Sequence, residues 1–128
     1  MTRKRRFGIS LNEEVFEELI RFSQAVGTDR SRVISMATRE FLSNEFHFAK
    51  LHECEGVLVV SYTSENKAQV EKLMEDKAPL IVSRSHFHAR NGCCVEVLYL
   101  RGSSEDAWNL RASISRVCRT CCYIPTCL

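Results

Sequence analysis

Apolar and polar positions near the N-terminus follow two different periods. From Arg6 to Leu11 they alternate strictly, with Phe7, Ile9 and Leu11 set against Arg6, Gly8 and Ser10, and this predicts a strand. From Asn12 the period lengthens. Val15, Leu19, Phe22 and Val26 recur at helical spacing, and Phe16 and Ile20 widen the stripe. Asn12 suits the cap of this helix, Glu13 and Glu14 suit its dipole, and Gly27 ends it. A second helix is predicted from about Ser31, burying Val33, Ile34, Ala37, Phe41 and Leu42. One strand and two helices are too few to bury so much apolar surface, and a lone strand leaves its edge unpaired. Two copies that pair their strands antiparallel and interlock their helices would remove both problems.

From Gly56 the pattern changes to alternating strands and helices. Strands are predicted over Val57–Tyr62, Leu80–Ala89, Cys93–Leu100 and Cys121–Ile124, with helices over Asn66–Glu75 and Glu105–Val117. Asn91-Gly92 reads as a hairpin turn between the second and third strands. The β-α-β-β-α-β order is that of a ferredoxin-like split βαβ unit. The predicted fold class is therefore α+β, with a β-α-α module over residues 1–46, a linker over 47–55 and a ferredoxin-like domain over 56–128.

Composition narrows the function classes. Apolar residues at 45% and charged residues at 27% describe a folded globular chain rather than a disordered one. No apolar run approaches the roughly 20 residues of a membrane span. The basic N-terminus lacks an apolar signal core, so a cytoplasmic location with no membrane partner is expected. The residues offer no set of nucleophile, base and orienting group and no phosphate-binding loop, so the chain is not expected to be an enzyme.

The net charge of +2 does not by itself indicate nucleic acid, but its distribution does, because Arg3, Lys4, Arg5 and Arg6 gather at one end. An antiparallel two-stranded ribbon fits the major groove of B-DNA, where alternate side chains reach the base edges. Arg6 would then engage a guanine, Ser10 would bond a base, and Gly8 would permit close approach. Arg3, Lys4 and Arg5 would contact phosphates, and the start of the second helix adds Arg30, Ser31 and Arg32. These strand residues alone would equally suit the solvent face of an ordinary edge strand. Together, the basic tail, strand, helix and basic-capped second helix resemble the ribbon-helix-helix repressors, whose paired strands read double-stranded operator DNA.

A second chemistry is carried by His86-Phe87-His88-Ala89-Arg90-Asn91-Gly92-Cys93-Cys94-Val95-Glu96. His86 and His88 stand two apart on a strand and so share a face, and the tight turn returns Cys94 alongside them. Two imidazoles and a thiolate suit late divalent metals and not magnesium or calcium. Glu96, on the same face as Cys94, is placed to orient a ligand. Packing residues on a buried strand face would leave the same pattern.

Seven cysteines in a chain without a signal core point to reduced thiols rather than disulfides. Cys118, Cys121, Cys122 and Cys127 crowd the C-terminus and suggest a second soft-metal site, for zinc or copper(I), or a thiol redox switch. Small buried residues on the last strand are the other reading. His47, His52 and Cys54 fall in the predicted linker and carry a weaker signal.

Across essentially the whole chain, the N-terminal module followed by Gly56–Tyr62, the His-x-His-x5-Cys-x-Glu motif and Leu98–Gly102 resembles the nickel-responsive regulator family. The resemblance implies a ribbon-helix-helix homodimer, an ACT-like C-terminal domain that assembles a homotetramer, and metal-dependent repression of nickel uptake genes. It implies Ni2+ bound by His86, His88 and Cys94, with a fourth ligand from a neighbouring subunit. The family has a histidine at that fourth position, 11 residues before His86, and here Glu75 occupies it. Zn2+, Co2+ and Cu+ are the alternatives to nickel that this donor set leaves open.

Overall fold

Asn12 opens the first helix as its spacing predicts. Its Oδ1 accepts the Val15 amide at 2.9 Å, and α1 (Glu13–Val26) follows. Gly27 closes α1 in the left-handed conformation (φ 68°), where a Cβ would be strained, while the Thr28 amide returns to the Ser23 carbonyl at 3.0 Å. The next helix, α2 (Arg30–Phe46), starts where the Asp29 carboxylate accepts the Arg32 amide at 2.7 Å. These coordinates are a computed structural model that describes residues 3–127.

The predicted strand over Arg6–Leu11 is not formed within this chain, and residues 3–12 carry no regular element. A strand is stabilised by its ladder, and no other segment of residues 3–41 is extended and free to pair with it. The helices have the same deficit. Phe7 is 82% exposed, Val15, Phe16, Phe22 and Val26 are exposed as well, and α2 buries no residue.

Contacts divide the chain into two compact units, Met1–Phe41 and Leu42–Leu128. The second unit holds β1 (Glu53–Tyr62), α3 (Lys67–Asp76), β2 (Ile81–His88), β3 (Cys94–Ser103), α4 (Ser104–Ser115) and β4 (Thr120–Pro125). Its sheet runs β2-β3-β1-β4 with every pairing antiparallel. The element order matches the predicted one, and the chain is α+β, with four α-helices and a four-stranded antiparallel sheet among the described residues.

Strand β1 begins earlier than predicted because the alternation continues back through Glu53-Cys54-Glu55-Gly56. Cys54, Gly56, Leu58, Val60 and Tyr62 are all buried. The core joins Leu58, Val60, Tyr62, Leu98 and Leu100 of the sheet to Val70 and Met74 of α3 and to Ala107, Leu110 and Ile114 of α4. Ser103 caps α4 by accepting the Asp106 amide at 3.1 Å. On the sheet's other face Val57, Val59, Val95 and Val97 are half-buried, while Phe87 and Ile124 are exposed. No helix among the described residues is long and apolar enough to cross a membrane.

Candidate functional site

Strand β2 is an edge strand, and its register against β3 sets His88 opposite Cys94 and His86 opposite Glu96. Directly paired residues project to the same face of a sheet. The turn at residues 89–93 fixes that register, with the Ala89 amide on the Cys93 carbonyl at 2.9 Å and the Cys93 amide on Asn91 Oδ1 at 3.0 Å. One ligand atom each from His86, His88 and Cys94 comes within 4.8 Å of the others, and the two imidazoles meet edge to face at 4.7 Å. The three predicted ligands are thus brought together by one hairpin.

Glu96 lies behind them, fully buried. Its carboxylate accepts Arg84 Nε and Nη2, each at 2.9 Å, the Tyr62 hydroxyl at 2.9 Å, and His86 Nδ1–H. Burial pushes its pKa up, but the donors from Arg84, His86 and Tyr62 outweigh burial and hold it below the ordinary carboxylate range. An ionised Glu96 takes the proton-bearing Nδ1 of His86, which leaves Nε2 as the free donor atom. This is the arrangement by which a carboxylate orients an imidazole ligand. The residues fit a late divalent metal: two imidazoles and a thiolate on one hairpin, with one imidazole held by a buried carboxylate.

Glu75, the predicted fourth ligand, is exposed on α3 and is not part of this group within the chain. The four C-terminal thiols do not gather either. Alternate residues on β4 face opposite ways, so Cys122 is exposed while Cys121 packs toward the core with Cys118. Burial beside Cys121 pushes the Cys118 thiol up to about 11, the reverse of an activated thiol. Cys127 lies elsewhere, among His47, His52 and Cys54, a grouping the sequence reading did not make. The signal available for it was the His-x4-His-x-Cys spacing of residues 47–54.

In the first unit, Arg3, Lys4, Arg6, Gly8 and Ser10 are exposed, as are Arg30, Ser31 and Arg32 at the start of α2. Lys4, Arg5 and Arg6 line a shared concave surface with Arg30, Ser31 and Arg32. The Arg32 amide at this helix start is already taken by the Asp29 carboxylate.

No protein-family model matches the chain. Among curated proteins, the chain is 30% identical over 115 residues to a "Putative nickel-responsive regulator" of Chlorobaculum parvum, a match covering 85% of this chain and 84% of that one. A protein of the same name from Dictyoglomus thermophilum is 28% identical over 90% of this chain and 88% of its own. An uncharacterized protein of Thermotoga maritima, matched along its full length to 61% of this chain with a TM-score of 0.51 and 16% identity, shares the fold alone. The relatives are named as regulators and not as enzymes. By its identity and coverage against the first of these relatives, the chain belongs to the nickel-responsive regulator family.

Proposed function

We propose that this protein is a metal-responsive transcriptional repressor that binds operator DNA and controls genes for metal uptake or handling, with nickel as the metal it senses. The observation that carries the reading is the convergence of His86, His88 and Cys94 on one hairpin, with buried Glu96 orienting His86. Bound nickel would supply a fixed positive centre that draws these ligands into one geometry. Glu75 from a second copy is the candidate for the remaining coordination position. Zinc, cobalt(II) or copper(I) are the competitors in the same test.

In this reading residues 1–46 form a ribbon-helix-helix dimer in the cytoplasm, 47–55 a linker and 56–128 an ACT-like sensing domain. The exposed apolar side chains of α1 supply the dimer's core, and the strand of residues 6–11 forms when a second copy pairs with it. Tetramers form through the sensing domain, whose open sheet face carries Val57, Val59, Val95 and Val97. Arg6, Gly8 and Ser10 read bases, while Arg3, Lys4, Arg30, Ser31 and Arg32 hold phosphates. Redox sensing by Cys118, Cys121, Cys122 and Cys127 acting together is disfavoured, since burial raises the Cys118 thiol and the four thiols are dispersed.

The test begins by selecting a preferred duplex from a random pool with nickel-loaded protein. Nickel is expected to tighten binding to that duplex by about tenfold or more, the usual size of an allosteric coupling. His86→Ala and Cys94→Ala should each abolish the nickel effect and leave the metal-free affinity in place. A full nickel response in both variants would sink the proposal. Arg30→Ala should weaken binding across all sequences and lower the salt slope by about one, whereas Arg6→Ala should relax sequence preference.

A further inference from the structure

We propose that His47, His52, Cys54 and Cys127 form a second, structural metal site that takes zinc, separate from the proposed sensing site and independent of the nickel reading. All four residues lie in the second unit.

The donor atoms have the shape of a coordination polyhedron. Cys54 Sγ lies 3.2 Å from His47 Nε2 and 3.7 Å from Cys127 Sγ. Cys127 Sγ lies 3.5 Å from His47 Nε2 and 3.6 Å from His52 Nε2. All four ligand atoms fall within 4.8 Å of one another. A tetrahedral zinc with Zn–S of about 2.3 Å and Zn–N of about 2.0–2.1 Å requires sulfur–sulfur edges of about 3.7–3.8 Å and sulfur–nitrogen edges of about 3.5–3.6 Å. Three of these four contacts match the edges of that figure and the Cys54–His47 contact of 3.2 Å is slightly shorter, whereas a Cys54–Cys127 disulfide would need its sulfurs at about 2.05 Å.

The surroundings fix which atoms face the centre. His52 Nδ1 is 2.7 Å from the Lys50 carbonyl, a pure acceptor, so Nδ1 carries the proton and the Nε2 lone pair points at the thiols. The Tyr123 hydroxyl is 2.9 Å from Cys54 Sγ, placed to donate to a thiolate. The chain end is held in reach by the Glu55 carbonyl, which accepts the Thr126 amide at 2.9 Å and the Cys127 amide at 3.3 Å. Cys54 is buried in β1, and the two histidines and Cys127 are half-buried. Four protein donors leave no open position, which marks a structural and not a catalytic centre, and His47-x4-His52 has the histidine spacing of such sites. The ion would clip the C-terminal tail to the segment that leads into β1, closing a loop between Cys54 and Cys127.

The experiment uses the full-length, reduced protein in a His86→Ala/Cys94→Ser background, which removes two of the three sensing ligands. After passage over a chelating resin this variant is expected to keep a single zinc per chain. Cobalt(II) in place of zinc should give the intense bands of a tetrahedral thiolate centre. Adding Cys127→Ser, or separately His52→Gln, should weaken zinc binding by about 100-fold or more without loss of far-ultraviolet helix signal. Zinc should also protect Cys54 and Cys127, but not Cys122, from alkylation. The proposal fails if the background variant holds no zinc after reduction, if Cys54 and Cys127 emerge as a disulfide that zinc and reductant do not replace, or if both added substitutions leave zinc affinity unchanged.

Discussion

Glu96 has no exposed surface, and four donor contacts from three side chains converge on it: two from Arg84, one from Tyr62 and one from His86. A buried charge is tolerated only when it is compensated in this way, and removing one partner strands the rest. Glu96→Ala leaves the Tyr62 hydroxyl buried without its acceptor and Arg84 with Glu71 alone. Because Arg84 is partly exposed, the expected loss is about 3 kcal/mol, the low end for a broken buried pair, read as a lower urea midpoint. Glu96→Gln should lose less stability but still disturb the orientation of His86. Glu71 is held below its ordinary range by the Arg84 guanidinium, as Glu96 is by Arg84, His86 and Tyr62 acting against burial. Groups depressed in the folded state contribute stability that is complete above the unfolded carboxylate range and is lost as pH falls through their lower values. Urea midpoints should therefore be level near neutrality and decline from about pH 5 downward, and an Arg84→Met variant should show a shallower decline. His86, His88 and Cys94 were legible in the sequence because a period of two and a tight turn place them without knowledge of the rest of the fold. The role of Arg84 and Tyr62 was not, since it depends on which strands lie side by side.

Among the elements, the approach of β1 to β4 rests on a residue with no side chain. A Cβ at Gly56 would lie 2.4 Å from the Tyr123 ring and hydroxyl and 2.7 Å from the Ile124 carbonyl oxygen. The carbonyl is backbone and cannot swing aside, so Gly56→Ala must push the strands apart. The expected cost is about 1–3 kcal/mol, measured by thermal or urea unfolding, with Tyr123 drawn away from Cys54. The sequence indicated six alternating elements in the right order but began β1 at Val57, because Cys54 and Gly56 are weak apolar markers interleaved with Glu53 and Glu55. It also pooled the C-terminal cysteines by proximity along the chain. Strand alternation separates Cys121 from Cys122, and the segment past Pro125, held by the Glu55 carbonyl, carries Cys127 to partners that lie 73 to 80 residues earlier. Local patterns cannot report so distant a contact.

For the whole molecule, the contrast lies between a second unit with a filled core and a first unit whose apolar side chains face solvent. Phe7, Phe16, Phe22 and Val26 are ordinary core residues left without a core, which is why the Arg6–Leu11 strand could be read in the sequence and yet does not form alone. Under the proposed dimer, Val15→Asp with Phe22→Asp should break pairing through the first unit, leaving in sedimentation only the association made by the second unit, and reduce retention of DNA by about tenfold or more, while the second unit keeps its fold. The order of the strands also bears on how quickly ligands can exchange. Because β2 is hydrogen-bonded on one side alone, it can open locally from β3 while Leu58 and Leu98 stay packed. Such local opening needs far less free energy than global unfolding. An ion held by His86 and His88 would thus enter and leave at the pace of a fraying rim, with Cys94 and Glu96 waiting in place as a fixed half-socket. In deuterated water, the Phe87 amide should exchange well before that of Leu58 in the metal-free protein, and nickel should slow it selectively. Equal protection across these amides would mean that the socket opens only when the whole unit does.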